Sequence, residues 1–197
     1  MDGCGPGWWR VADSLVLLLA WWGLLVTSHA TTPPGRSEYE LKAAFLHKFA
    51  MFVEWPVQSF DTTNAPIVIG ILGRDPFGPK LEAVLASKRV HGRAVEFQRF
   101  ARVEDVLLAR CQMLFIASSE QARLPAILEA IKTVPLLTVG DSPGYGETGV
   151  MINLVVREQS LRFEINRQSA VRVGLQVSSQ LLELALPTRE RPQSRSQ

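Results

Sequence analysis

The order of apolar patterns along this chain predicts an α/β fold, a mixed and mostly parallel sheet covered by helices on both faces and completed by a C-terminal antiparallel hairpin. Two observations carry that expectation. Between residues 67 and 140, short apolar and β-branched runs alternate with segments whose apolar residues recur at helical spacing. Beyond residue 150 the alternation stops. The apolar runs 150–156 and 160–166 are separated only by Arg157, Glu158 and Gln159, too few residues for a crossover helix, so these two strands must pair antiparallel.

The elements follow in order. Residues 38–55 read as a first helix: Leu41, Phe45, Phe49 and Phe52 form one line, Leu46, Ala50 and Val53 widen the stripe, and Pro56 stops it. Residues 67–72, bounded by Pro66 and Gly73, read as a buried strand, and 79–88 as a short helix. Residues 94–100 form the second strand, 103–109 a short amphipathic helix and 112–117 the third strand. Residues 120–132 are a helix with Leu124, Ile127, Leu128 and Ile131 inward, and 136–140 the fourth strand. After the hairpin, residues 168–186 read as one last helix, with Val171, Leu175, Val177, Leu181, Leu182 and Leu184 inward and Pro187 beyond its end. No internal repeat and no linker divides the sequence.

The N-terminus has a different character. Residues 14–26 are an apolar run, shorter than the about 20 residues a membrane-spanning helix needs. Arg10 precedes it, and Ser28 and Ala30 supply the small residues of a cleavage site after Ala30. This pattern predicts a secretory signal peptide, residues 1–30, followed by a single domain over 31–186 and a disordered tail over 187–197. Cys4 lies before the apolar run, which is incompatible with a lipoprotein signal. The whole chain has 21 Lys and Arg against 19 Asp and Glu; loss of the leader takes Arg10, Asp2 and Asp13 and leaves a balance of +3. That balance, without clustered basic residues in the domain, predicts no nucleic-acid partner. Arg189, Arg191 and Arg195 gather in the tail among Pro, Ser and Gln, the composition of a solvated end. Cys111 is the one cysteine of the mature chain, so no intramolecular disulfide can form, and its place before the apolar run 113–116 predicts burial.

Four motifs bear on function. The loop Gly73-Arg74-Asp75-Pro76-Phe77-Gly78-Pro79-Lys80 follows a strand and opens a helix much as a phosphate-binding loop does. Pro79 stands where such a loop needs Lys, however, and has no N–H to give a phosphate, so a tight strand-to-helix turn is expected. Asp75 and Asp141 both follow strands, which sets them on the carboxyl edge of the sheet, where open α/β sheets bind ligands. Paired carboxylates there suit acid–base work, yet no nucleophile, second base or oxyanion motif accompanies them. His47 and His91 stand in unrelated contexts, so no metal or cofactor site and no catalytic set is expected. Arg162 and Glu164 share one face of a strictly alternating strand with Asn166. They suit either a ligand-binding ladder or an ion pair beside an Asn166 helix cap, and Asn153 stands ready to pair across the hairpin. Finally, the first helix is apolar over an arc wider than one buried face needs. Two readings stand equal: Phe52 and Trp55 meet a partner, or the last helix covers the stripe within one core.

A succession of blocks makes the chain similar to a known family. Glu40-Leu41-Lys42-Ala43-Ala44-Phe45-Leu46, Phe49, Phe52-Val53-Glu54-Trp55-Pro56, Ile69-Gly70-Ile71-Leu72-Gly73 and Asp75-Pro76-Phe77-Gly78 come first. Gly92-Arg93, Cys111-Gln112-Met113-Leu114-Phe115-Ile116, Leu137-Thr138-Val139-Gly140-Asp141, Gly149-Val150-Met151-Ile152-Asn153-Leu154 and Arg162-Phe163-Glu164-Ile165-Asn166 follow. In this order they resemble the YfiR-like family of bacterial periplasmic proteins, over roughly residues 38 to 186. The resemblance implies a three-layer α/β/α sandwich that dimerises and is no enzyme. It implies a periplasmic repressor that binds the periplasmic domain of an inner-membrane diguanylate cyclase, lowering cyclic di-GMP and biofilm formation. An outer-membrane lipoprotein that sequesters the repressor, and a sensor kinase as the alternative partner of a sensory or ligand-binding module, belong to the same implication. Cys111 matches a cysteine of the family, but a second mature cysteine is missing, so disulfide switching within the chain does not carry over.

The leader generates the first prediction. Protein recovered from the periplasm should have an intact mass that begins at Thr31; a product that keeps residues 1–30 in the membrane fraction refutes cleavage after Ala30.

Overall fold

Residues 34–187 are described by a computed structural model; the leader with its cleavage site, and the arginines of the tail, lie outside these residues. Helix α1 (Pro34–Met51) leads into β1 (Val53–Glu54), a 3-10 turn (Val57–Ser59) and β2 (Ile67–Leu72). Then come α2 (Lys80–Leu85), β3 (Arg89–Val90), β4 (Arg93–Phe100), α3 (Val103–Leu108), β5 (Met113–Ile116), α4 (Leu124–Ala130), β6 (Leu137–Gly140) and α5 (Tyr145–Thr148). The hairpin β7 (Ile152–Arg157) and β8 (Ser160–Ile165) precedes α6 (Arg167–Arg172), β9 (Gln176–Val177) and α7 (Ser179–Leu184).

Seven strands form one sheet in the order β3-β4-β2-β5-β6-β7-β8. The five from β4 to β7 run parallel, and β3 and β8 add antiparallel edges. Every residue of β2, β5 and β6 is buried, which explains why their sequences are continuous apolar runs and do not alternate. Alternate side chains feed two cores. Ile67, Ile69, Ile71, Met113, Phe115, Leu137 and Val139 face α1, α2, α6 and α7. Val68, Leu72, Leu114 and Ile116 face α3, α4 and α5 together with Val106, Leu124, Ile127 and Tyr145. The result is the expected three-layer sandwich. Cys111 lies buried in the second core, and desolvation pushes its thiol up to about 11.

Three helix boundaries differ from the expectation. Helix α1 ends at Met51, not at Trp55, because Val53 and Glu54 pair antiparallel with Val177 and Gln176. The same pairing breaks the expected last helix in two: Gly174 takes φ 77°, β9 follows, and α7 starts afresh at Ser179. Residues 118–123 wind as a 3-10 turn before α4 opens with Pro125 in its first turn. Leu41, Val171 and Leu184, expected inward, stand 47%, 60% and 67% exposed. Asn166 does cap α6, its side chain accepting the Ser169 N–H at 3.0 Å.

The β7–β8 loop consists of Glu158 and Gln159 alone, since Arg157 pairs with Ser160. Both loop residues have positive φ, 50° and 60°. Such a two-residue turn favours Asn-Gly, and each side chain kept in the left-handed region costs about 1–2 kcal/mol. Gln159→Gly should therefore stabilise the domain by about 1 kcal/mol in chemical denaturation after the greater chain entropy of Gly is deducted; an unchanged or lower midpoint refutes the strain.

Candidate functional site

Among the parallel strands the chain reverses its direction of sheet growth between β2 and β5, and the carboxyl ends of such strands flank a crevice. The loops after β2, β5 and β6 meet there. Gly73 adopts φ 92°, and a Cβ on it would collide with the Ser119 hydroxyl and the Glu120 carboxylate, so only glycine lets the 3-10 turn close down over β2. The Arg74 N–H donates to Ser119 Oγ at 2.9 Å, and Arg123 pairs with the buried Glu120. The crevice is thus largely filled by the chain's own hydroxyl and carboxylate. What remains is a cavity of about 330 Å³ lined by Arg74, Asp75, Pro76, Ser118 and Ser119.

The phosphate-loop look-alike has a structural task. Asp75 Oδ1 accepts the Phe77 N–H at 2.7 Å, and this turn drives Phe77 into the first core, between Tyr39 (centroids 5.6 Å) and Phe115 (4.9 Å). The other oxygen, Oδ2, accepts from Arg99 Nε at 2.7 Å, while Arg99 also reaches Glu82 and the Gly78 carbonyl. Asp141 is spoken for as well. Lys42 Nζ lies 2.8 Å from its Oδ2, both side chains nearly enclosed, with Glu38 at 2.7 Å from the same ammonium and the Tyr39 ring 4.4 Å away. Burial pulls the Lys42 pKa down, but the hydrogen bonds to Asp141 and Glu38 outweigh it, so the ammonium stays charged above its ordinary 10.5. Burial first, then the Asp141 charge, raises the Tyr39 phenol. Asp75 and Asp141 therefore share the carboxyl edge but serve different cations, and the structure does not bring them together as an acid–base pair.

The other candidates divide. Trp55 is buried at the margin of the first core, and its indole N–H donates to the Gln112 carbonyl at 2.8 Å. Phe52 is half-buried against the same core, and its carbonyl accepts the Ser178 N–H at 2.9 Å. Along the first helix, Phe45 and Phe49 meet Phe163, and Tyr39 meets Phe77. Arg162 is exposed and Glu164 half-buried on one face of β8, where Arg157 Nη2 stands 4.0 Å from Glu164. They border a cleft of about 460 Å³ with Glu158, Ser160 and Leu186. Asn153 sits opposite Glu164 and donates to the Ser142 carbonyl at 3.1 Å; its buried Oδ1 has no partner among the described residues. His47 and His91 point ring nitrogens at the carbonyls of Arg89 and Val53. No group of three or more His, Cys, Asp or Glu suited to a metal ion occurs among the described residues.

Sequence reasoning missed Lys42 and Gln112. A lysine at Lys42 reads as a solvated helix position, and only its spacing, one turn after Glu38 and on the side of Tyr39, hinted otherwise. The Gln112 amide accepts the Val68 N–H at 2.8 Å and donates to the carbonyls of Ser59 and Arg110, both at 2.9 Å.

A buried pair loses more when one member goes than when both do. Lys42→Met or Asp141→Asn alone should cost about 3–5 kcal/mol, and Lys42→Met with Asp141→Leu appreciably less than the two singles added. Because the folded-state pKa of Lys42 is raised, its stabilisation is complete below pH 10.5 and fades as pH rises through the folded value. The double variant should show a shallower alkaline limb of stability against pH; strict additivity would rule out the coupling.

Comparison with known proteins completes the description of the site. No curated protein matches the chain. Among solved structures, a conserved domain protein from Vibrio cholerae is 13% identical with a TM-score of 0.52, over 77% of this chain and 60% of that one. The ABC domain in complex with L-Trp from Streptococcus pneumonia is 12% identical with a TM-score of 0.47, over 61% and 54%. The chain thus spans between about half and three fifths of the length of these structures, and the likeness to the first concerns the fold alone. The family description YfiR/HmsC-like matches residues 39–186, from Tyr39 beside the buried Lys42 to Leu186 at the sheet edge, and the chain belongs to that family.

Proposed function

We propose that this protein is a periplasmic regulator of cyclic di-GMP signalling that acts by binding an inner-membrane signalling protein, the periplasmic domain of a diguanylate cyclase, and holding it inactive. Membership of the YfiR/HmsC-like family over nearly the whole domain carries this reading. The chemistry of the strand-end loops supports a non-catalytic role: Asp75, Asp141 and Glu120 are each neutralised by Arg99, Lys42 and Arg123, so the charged groups of the crevice hold the fold together. A protein that works by contact needs a stable surface more than a reactive group. An outer-membrane lipoprotein that competes for the regulator belongs to the same proposal.

A second reading, a sensory module that binds a small ligand and acts with a sensor kinase, draws on the open cavity bordered by Arg74, Ser118 and Ser119. The two separate cleanly. Deletion of the gene should raise cellular cyclic di-GMP and surface attachment severalfold, and the tagged protein should co-purify with the periplasmic domain of a cyclase encoded beside it. Unchanged cyclic di-GMP with no cyclase recovered, together with a ligand-dependent rise in melting temperature of the purified domain, would select the sensory module instead.

A further inference from the structure

The two ends of the sheet are charged differently. The turns at the amino ends of β4, β2 and β5 gather cations that lie far apart in the sequence, and three contacts tie those turns together. His47 Nε2 lies 3.2 Å from the Arg89 carbonyl, which sets the end of α1, with Lys48, beside Lys88 and Arg89. His91 Nε2 lies 3.4 Å from the Val53 carbonyl, so the β3–β4 turn meets the segment that leads to Val57. Arg110 Nη2 donates to the Gln58 carbonyl at 3.3 Å and Nη1 pairs with Asp61, which joins the same segment to the end of α3. Lys48, Lys88 and Arg89 are exposed, and none has an ion-pair partner among the described residues. Of the acids nearby, Asp61 is held by Arg110, Glu54 lines one cleft with Arg93 and His91, and Glu96 stands farther along β4. At the carboxyl end it is the exposed acids Asp105 and Glu158 that lack an ion pair. Two apolar side chains protrude among the cations of the amino end. Val57 and Leu108, 87% and 82% exposed, are the most exposed large apolar residues among the described ones, and they flank the contact of Arg110 with Gln58. Met51, just beyond Lys48, is half exposed.

We propose that this end of the sheet docks on an anionic lipid bilayer, Lys48, Lys88 and Arg89 meeting phosphate-bearing headgroups while Val57, Leu108 and Met51 dip into the boundary between headgroups and acyl chains. An interfacial site needs both parts. Cations within a Debye length of the headgroups supply the attraction, and apolar side chains that reach past them make it persist. The form of the apolar surface selects lipid over protein: Val57 and Leu108 are separate tips on two turns with Arg110 between them, and a fluid boundary closes round each tip. A protein interface would instead gather its anchors into one packed centre. Charge sets the orientation as well, since Asp105 and Glu158 at the far end are repelled by the same headgroups. Held at a membrane surface, the protein meets any membrane-bound partner at a raised effective concentration. The docking itself does not depend on which protein is regulated.

Sedimentation of the mature protein with vesicles tests it. At about 0.15 M salt the wild type should pellet with phosphatidylcholine vesicles that carry about 40% phosphatidylglycerol, should stay in solution with phosphatidylcholine alone, and should dissociate as salt rises. Two charge reversals separate place from total charge. Lys88→Glu should weaken binding at least about tenfold, and Arg74→Glu, the same change at the carboxyl end, no more than about twofold. Val57→Ser combined with Leu108→Ser leaves the charge untouched and should weaken binding at least about fivefold. All of these side chains are exposed, so circular dichroism of each variant should match the wild type. A wild type that ignores the anionic vesicles, charge reversals of equal effect at the two ends, or serines without effect overturns the proposal; the first of these, with retention by the periplasmic domain of the cyclase that Lys88→Glu abolishes, would assign this end to that protein.

Discussion

A parallel sheet covered on both faces denies water to its central strands, and every peptide group at their ends must then find a partner within the protein. In this fold β2, β5 and β6 are buried along their whole length, and their two ends are closed by side chains from outside the sheet. At the amino end, Gln112 does most of the closing. Its side chain engages Val68, Ser59 and Arg110, while its carbonyl accepts from the Trp55 indole at 2.8 Å and the Leu137 N–H at 2.9 Å. At the carboxyl end, Tyr145 sets the edge of its ring against Gly140, where any Cβ would collide with it, and its hydroxyl donates to the Ala117 carbonyl at 2.9 Å. Lys42 and Asp141 complete that end. Loss of any of these would leave buried donors or acceptors unpaired, which costs more than the hydrogen bond itself returns.

The same closure explains why the carboxyl edge has so little free chemistry. In an open α/β sheet this edge is where fixed charges and N–H groups are turned toward a ligand. Here the Arg74 N–H is turned toward Ser119, the Asp75 oxygens toward Phe77 and Arg99, and the Lys42 ammonium toward Asp141 and Glu38. A loop that looks built for phosphate positions the Phe77 ring, so its glycines and aspartate serve packing. What stays open among the described residues is the cavity beside Arg74 and the cleft bordered by Arg162 and Glu164.

Much of this was legible in the sequence, and for a physical reason. Strands buried on both faces, such as 67–72, leave uninterrupted apolar runs, and short connections admit one topology, as the hairpin after β7 does. Asn166 announced its cap because few other residues can make one. What escaped depends on contacts between distant parts of the chain. Val53 and Glu54 continue a helical apolar pattern, and nothing near them reveals that Val177 and Gln176 will pair with them as strand. The wide apolar arc of α1 left a partner and an internal cover equally open for Phe52 and Trp55. In the fold it is met from several directions at once, by Phe163 against Phe45 and Phe49, by Phe77 against Tyr39, and by Gln112 under Trp55. Lys42 was unreadable for the opposite reason, since a charge on a helix is normally solvated and its burial depends on Asp141 ninety-nine residues away.

Helix α1 is consequently fastened at both ends of the sheet, by Lys42 to the end of β6 and by Trp55, just beyond its last turn, to the start of β5. The pairing of β1 with β9 and the Ser178 N–H on the Phe52 carbonyl tie the C-terminal segment to the same place. The first and last elements of the domain thus share one anchorage. On the outer side of α1, Leu41 and Met51 stand about half exposed, each close to one of the two fastenings. The two fastenings hold this surface in shape, so little conformational entropy is left for it to lose on burial. Rearranging α1 would first require breaking a buried ion pair at one end and a buried indole hydrogen bond at the other.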